Sequence, residues 1–179
     1  MSNPECTIRA AEQADSARIA EIFAHYVTSG LANWEHLPPD AAAIATRIGQ
    51  LTAAGYPYLV AHCSSTGTVL GYAYGSSFHA QSGWRYTVED SIYVAPAAQR
   101  QGIGRALLSC LIDECTARGF RQMIAGISQP GGEGSIAFHE ALGFRLVGTL
   151  PNVGWKHGEW LTAHYYQRAL GDGATTPPP

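Results

Sequence analysis

The sequence predicts a mixed α/β domain with mostly antiparallel strands. Three observations predict it. Two stretches in the first third repeat apolar residues at three and four, as helices do. Two alternating runs then flank a short polar turn, as in a hairpin. The second half alternates strand-like and helix-like segments, which reads as strand–helix–strand units.

Cys6–Ala11 alternates and is read as the first strand. Asp15 and Ser16 precede a helix whose Ile19, Ile22, Phe23, Tyr26 and Val27 form one apolar face. A second helix follows Pro38-Pro39, with Asp40 as its N-terminal carboxylate and Ile44, Ile48 and Leu51 as its stripe. Tyr56–Cys63 and Thr68–Phe78 are the two arms of the hairpin, joined by "SSTG". Trp84–Pro96 is rich in β-branched and aromatic residues and reads as a strand ended by Pro96. The next helix carries Leu107, Leu108, Leu111, Ile112 and Cys115 on one face and closes at Gly119. Arg121–Ile127 is a short buried strand, and Gly134–Phe144 a helix capped by Gly143. Two last strands fall near Leu146–Leu150 and Trp160–Leu170. The expectation is one domain over residues 1–170 and a disordered tail over 171–179, "GDGATTPPP".

At 179 residues, 46% hydrophobic and 14% charged, the chain can bury a sizeable core. A net charge of −3 argues against a dedicated nucleic-acid binder, which is usually strongly basic. No apolar run approaches membrane-spanning length and no signal-peptide pattern opens the chain. Cys6, Cys63, Cys110 and Cys115 form neither a C-x-x-C pair nor a metal-ligand spacing. They read as reduced, mostly buried thiols of a cytoplasmic protein, with no metal and no membrane partner implied.

"QRQGIGRALL" (Gln99–Leu108) puts Gly102 and Gly104 where a strand end becomes a helix start. A helix N-terminus exposes unpaired N–H groups with partial positive charge. Glycine removes the Cβ that blocks access to them, and Arg100 and Arg105 add full charges. That suits a pyrophosphate. The same residues also suit a plain tight turn with two solvated arginines, and spacing alone leaves both open. The third glycine of a dinucleotide fingerprint and the Lys-Ser/Thr of a P-loop are absent.

"QRQGIG" resembles the Q/R-x-x-G-x-G/A signature of the GNAT acetyltransferase superfamily, and the flanking "SIYVAP" and "RALLSCLIDECTARGF" match as well. The resemblance runs from about Thr7 to Leu170. "YTVEDSIYV", "FHEALGF", "GWKHGEW" and "HYV…ANWE" narrow it to the phosphinothricin and methionine sulfoximine N-acetyltransferase subgroup. The resemblance implies a GNAT fold. That is a mixed sheet of about six or seven strands with about four helices, splayed between the fourth and fifth strands. It implies acetyl-CoA as cosubstrate, a small amino-acid analogue as amine partner and a homodimer. It assigns the cofactor to Ile92, Val94, Gln99, Arg100, Gln101, Gly102, Ile103, Gly104, Arg105, Ser135 and Phe138, with the Val94 N–H facing the thioester carbonyl.

Acetyl transfer needs the amine to lose a proton. A free α-amino group has a pKa of about 8, so deprotonation at neutral pH costs only about 1–1.5 kcal/mol. A modest base suffices. Glu89 sits inside an apolar strand, and its burial would raise its pKa toward the working range. An isolated strand glutamate is usually solvated, but the subgroup places its catalytic glutamate within "TVEDS". Asp90 faces the other way by strand alternation and serves as the contrast. His139, on the late helix, is given an active-site role by the resemblance; a lone helical histidine is more often structural. Arg85, four before Glu89, is expected on the same strand face, where it would bind an anionic group of the substrate, or stay solvated. Trp34 and Glu35 fall in the loop that closes the subgroup's substrate pocket. Tyr86, with Phe78 and Trp84, lines that pocket or packs as core.

Three positions depart from the subgroup. Its usual cofactor-contacting Asn is Gly132, a common Asp is Thr162, and "HAQSGW" replaces a basic stretch. Two other functions share the pattern: a GNAT enzyme for a polyamine, an aminoglycoside or a protein N-terminus, and an acyl-CoA-binding module without turnover.

Overall fold

The computed structural model describes residues 6–178. Seven strands form one sheet in the order β1-β2-β3-β4-β5-β7-β6. Their ranges are β1 Cys6–Ala10, β2 Tyr58–Cys63, β3 Val69–Ser77, β4 Thr87–Val94, β5 Gln122–Gln129, β6 Arg145–Lys156 and β7 Glu159–Ala169. The helices are α1 Ser16–Ser29, α2 Ala41–Ala53, α3 Ile103–Ala117 and α4 Glu133–Ala141. All neighbouring strands are antiparallel except β4 and β5. This mixed sheet of seven strands with four helices matches what the resemblance implies.

The helices form where the apolar periods lie. Ile19, Ile22, Phe23 and Val27 of α1 are buried, as are Ile44 and Ile48 of α2. Asp40 caps α2 by accepting from the Ala43 N–H at 2.8 Å. Period-two alternation then divides the sheet into two faces. Tyr93 of β4 meets Phe23 and Tyr26 edge-on, at 5.0 and 5.3 Å between ring centroids, so odd-numbered β4 residues face α1. Tyr58, Tyr72 and Tyr74 stack beside Tyr93 on that face. The other face is covered by α3, whose Leu107, Leu108 and Leu111 are fully buried.

Glycines let both β4 and α3 press against β3. Toward α3, a Cβ on Gly71 would lie 3.3 Å from Leu107 Cδ1 and one on Gly75 3.5 Å from Cys115 Sγ. A Cβ on Gly71 would lie 2.9 Å from the Tyr93 carbonyl oxygen and 3.2 Å from Val94 Cα. One on Gly75 would lie 2.7 Å from Val88 Cγ2.

Two strand readings need correction. The expected strand Trp84–Pro96 begins only at Thr87, because Ser82–Trp84 forms a 3-10 turn and Arg85 keeps helical dihedrals after it. The strand near Leu146–Leu150 runs on to Lys156 and returns through a tight hairpin. His157 and Gly158 both have positive φ there, +50° and +85°, as a type I′ turn requires. Past β7 the chain folds back over Arg121, whose guanidinium donates to the Pro177 carbonyl at 3.1 Å.

Gly71→Ala should cost about 1–3 kcal/mol in urea unfolding, because its Cβ meets backbone that cannot yield. A cost below about 0.5 kcal/mol would contradict this account of the α3 face.

Candidate active site

β4 and β5 pair only over Thr87–Glu89 and Gln122–Ile124. Both continue beyond, to Val94 and Gln129, without pairing each other. The sheet splits there. The Ala95 N–H donates to the Leu70 carbonyl, in register with the β3–β4 ladder. By antiparallel alternation, odd-numbered β4 residues therefore bond β3. Asp90, Ile92 and Val94 turn their N–H and C=O groups into the split. The Val94 carbonyl is taken by the Tyr26 hydroxyl at 2.6 Å, and Gln99 Nε2 donates to that hydroxyl at 3.0 Å.

Glu89 stands at the vertex of the split, opposite Ile124 in the last paired position. It points to the α1 face, as Tyr93 does. A Cβ on Gly126 would lie 3.1 Å from Glu89 Oε1, and Gly126 is itself exposed, so the carboxylate borders open space. Among the described residues no side chain or N–H hydrogen-bonds it. Burial, then the charge of Asp90, raise its pKa to about 7.

Asp90 faces the α3 side and is no mere contrast to Glu89. Its Oδ2 lies 3.1 Å from His139 Nε2, with both side chains 3% exposed. His139 Nδ1 lies 2.8 Å from the Ser135 carbonyl and 3.2 Å from Ser135 Oγ. A carbonyl can only accept, so Nδ1 carries a proton. Nε2 then faces a carboxylate, and a good hydrogen bond needs a proton there too. Burial disfavours the charged ring, but Asp90 and the Ser135 carbonyl outweigh it and raise the His139 pKa. The structure thus pairs His139 with Asp90, on the opposite sheet face from Glu89. Asp90 is the residue that sequence reasoning missed; an acidic residue at an inward strand position is its signal.

The glycine turn opens onto the same split. Gly102 has φ +81° and a Cβ there would meet nothing within 4 Å, so it is glycine for backbone conformation. Arg100 also has positive φ, +61°. No side chain caps the first turn of α3, which leaves the N–H groups of Ile103, Gly104 and Arg105 free for an anion. Arg100 and Arg105 are exposed, with no carboxylate partner among the described residues. Ile103 offers only its backbone, since its side chain is 4% exposed and in the core. Gln101 turns back, donating to the Ala97 carbonyl at 3.2 Å. Ile92 and Val94 line the β4 edge, and Ser135 and Phe138 lie on α4 across the split. Unpaired β4 edge groups and an uncapped helix start together fit an extended ligand ending in a pyrophosphate.

Gly132 has a physical explanation. A Cβ there would fall 2.2 Å from the Ser128 carbonyl oxygen and 2.5 Å from Ile127 Cγ2. No asparagine side chain fits unless the backbone moves.

The expected substrate residues separate. Trp34 and Glu35 lie between α1 and α2 on the Glu89 face, where Asn33 Nδ2 donates to the Tyr93 hydroxyl at 3.0 Å. Arg85 does not share a strand face with Glu89, because it precedes β4. Its guanidinium lies 4.4 Å over the Tyr86 ring and donates to the Ser82 carbonyl at 3.2 Å. That is the closed end of the β4–β5 pair, where the Tyr86 carbonyl accepts from the Arg121 N–H. Phe78 and Trp84 form an aromatic cluster with Tyr165, which stands beside Gly126. Tyr165 was not anticipated.

A splayed sheet with an uncapped helix start and a vertex carboxylate is an arrangement suited to acyl transfer from an extended, phosphate-bearing donor. The chain belongs to the acetyltransferase (GNAT) family, whose model matches residues 19–144. It is 42% identical to a phosphinothricin N-acetyltransferase of Alcaligenes faecalis, over 97% of this chain and 87% of that one. It is 40% identical to an L-methionine sulfoximine/L-methionine sulfone acetyltransferase of Salmonella typhimurium, over 94% and 96%. The crystal structure of a phosphinothricin acetyltransferase from Sinorhizobium meliloti, solved with AcCoA, superposes with a TM-score of 0.92 at 48% identity. It covers 97% of this chain and 93% of that one.

Two outcomes are expected. Gly132→Asn should lower stability by about 2 kcal/mol or more, measured by chemical unfolding. Asp90→Asn should cost about 3 kcal/mol at pH 6. The raised His139 pKa stabilises the fold fully below about 6.5 and loses that contribution as pH climbs through the raised value. The gap between wild type and Asp90→Asn should therefore narrow in thermal melts at alkaline pH.

Proposed function

We propose that this chain moves acetyl from acetyl-CoA to the α-amino group of a small amino-acid analogue of the phosphinothricin or methionine sulfoximine type. One observation carries the reading. A carboxylate titrating near neutrality sits at the vertex of the same split that presents the free α3 N–H groups. The identities with named acetyltransferases support the amine class.

Acetyl-CoA supplies the activated thioester. Backbone N–H groups of Ile103, Gly104 and Arg105, with Arg100, would hold its pyrophosphate. The β4 edge at Ile92 and Val94 would take its extended arm, and the Val94 N–H would polarise the carbonyl. Glu89 accepts the amine proton, directly or through one water, so that a neutral amine attacks. No covalent acyl-enzyme is needed. His139, holding a proton against Asp90, is the group on the other sheet face from which a leaving thiolate would be protonated. Trp34, Glu35 and the Phe78–Trp84–Tyr165 cluster enclose the amine side.

We also propose a homodimer. Leu146, Val147, Leu150 and Val153 of the edge strand β6, with Trp155 and Trp160, are all 45% exposed or more. So large an apolar row marks a contact surface. Light scattering should give twice the 19.1 kDa chain mass. The four free thiols fit a cytoplasmic site of action.

CoA-thiol release with phosphinothricin, methionine sulfone, a polyamine and an aminoglycoside side by side tests the substrate class. Tight CoA binding without turnover of any amine would favour the non-catalytic reading. In wild type, kcat/KM should rise through a limb near pH 7 as Glu89 deprotonates. Glu89→Gln should lower kcat/KM roughly 100-fold or more and abolish that limb, leaving only the amine's own near pH 8. The same variant should gain stability over wild type between about pH 4.5 and 7, where the unfolded carboxyl ionises before the folded one, and hold that gain above.

A further inference from the structure

Lys156 is 1% exposed, the most deeply buried charged side chain of the described residues. Among the described residues no carboxylate hydrogen-bonds it. Its ammonium donates to the Asn33 carbonyl at 2.5 Å and reaches the Tyr26 carbonyl at 3.5 Å. A buried ammonium on carbonyls alone is costly. Burial lowers its pKa, and the charge of Glu35 opposes that. The cost has a structural return, because both carbonyls belong to the chain that enters and carries the Trp34–Glu35 loop.

Other contacts fix the same loop. Asn33 donates to the Tyr93 hydroxyl, while its Oδ1 accepts from the Glu35 N–H at 2.8 Å. Two residues before Lys156, on the same strand face, a Cβ on Gly154 would lie 2.9 Å from the Trp34 ring. At the β5–α4 turn a Cβ on Gly131 would lie 3.1 Å from Leu31 Cβ. Tyr93 belongs to β4, whereas Gly131, Gly154 and Lys156 lie beyond the split. The loop is a strap across the Glu89 face, tied to both arms of the divided sheet.

We infer that Lys156 is a positioning residue for the amine substrate: its buried ammonium anchors the Asn33–Glu35 strap to β6 and so fixes Trp34 and Glu35 over the Glu89 side of the split. This rests on the acetyltransferase reading above. Lys156 touches no reacting atom. Its loss should act on amine binding and leave the cosubstrate site, on α3 and the β4 edge, in place.

The test uses Lys156→Met, which keeps the length and removes the donor, with Lys156→Arg and Gly154→Ala. In Lys156→Met, amide hydrogen exchange at residues 31–35 should speed up at least tenfold. The KM for the amine should rise about tenfold, the loss expected of one charged hydrogen bond, with the acetyl-CoA KM within twofold of wild type. Lys156→Arg should restore the amine KM to within about threefold, since it again supplies donors. Gly154→Ala keeps the ammonium but displaces Trp34, and should raise the amine KM alone. Unchanged exchange at 31–35 in a folded Lys156→Met protein would overturn the proposal. So would equal changes in both KM values in Lys156→Met and Gly154→Ala. If wild type turned over no amine, the acetyltransferase reading would fail, and the exchange rates would still decide the anchoring of the strap.

Discussion

The three-residue parallel pairing between β4 and β5 is the constraint on which the site depends. Once it stops at Glu89 and Ile124, two strands in the middle of the sheet present unpaired backbone groups to each other. Interior strands rarely do so, because buried peptide groups demand partners. The Tyr26 hydroxyl satisfies one of them, at Val94. The others form a ready edge for an extended ligand. The turn that follows β4 leads straight into α3, so the free edge and the free helix N-terminus belong to one continuous stretch of chain. Backbone geometry, more than any side chain, shapes this opening.

Two adjacent carboxylates at the vertex then acquire different characters from strand alternation. Asp90 turns inward under α4 and is held by an imidazole. Glu89 turns to the α1 face, finds no hydrogen-bond partner among the described residues and is pushed toward neutrality by burial and by its neighbour. Asp90 thus acts on both: it keeps a proton on His139 and discourages charge on Glu89. The pairing is incomplete, since Asp90 Oδ1 is buried without a hydrogen-bond partner among the described residues. A carboxylate fully neutralised by its surroundings would press less on Glu89.

The sequence made α1, α2 and α3 legible because each has an apolar stripe, whereas α4, with His139 as its one buried residue, was marked by Gly143 just past its end. The glycine turn was legible for a similar reason: glycine before a helix has few physical purposes. Side-chain position near element ends was much less legible. Arg85 was assigned to a strand face because Trp84 and Tyr86 are good strand residues, yet Ser82–Trp84 turns and the strand starts after them. The second half of β6 escaped notice because its pattern is nearly all exposed, with Gly154 and Lys156 as its only buried positions. A lysine reads as surface in any pattern argument. Its burial becomes visible only once the α1–α2 connection lies across it. Asp90 was misjudged for a related reason, since alternation gives the face of a residue but not what packs on that face.

Gly132 shows how a departure from a family pattern becomes a statement about packing. Replacing a side chain that contacts cofactor with glycine suggests a weakened hold. The structure shows the β5–α4 turn drawn so tightly onto Ser128 and Ile127 that no Cβ fits. One residue earlier, Gly131 meets Leu31 of the strap at similarly close range. This short turn therefore joins the start of α4 to the strap at close range. A side chain on either glycine would push the two apart. The glycine pair thus gives a close junction between the β5–α4 turn and the strap, held by backbone packing alone.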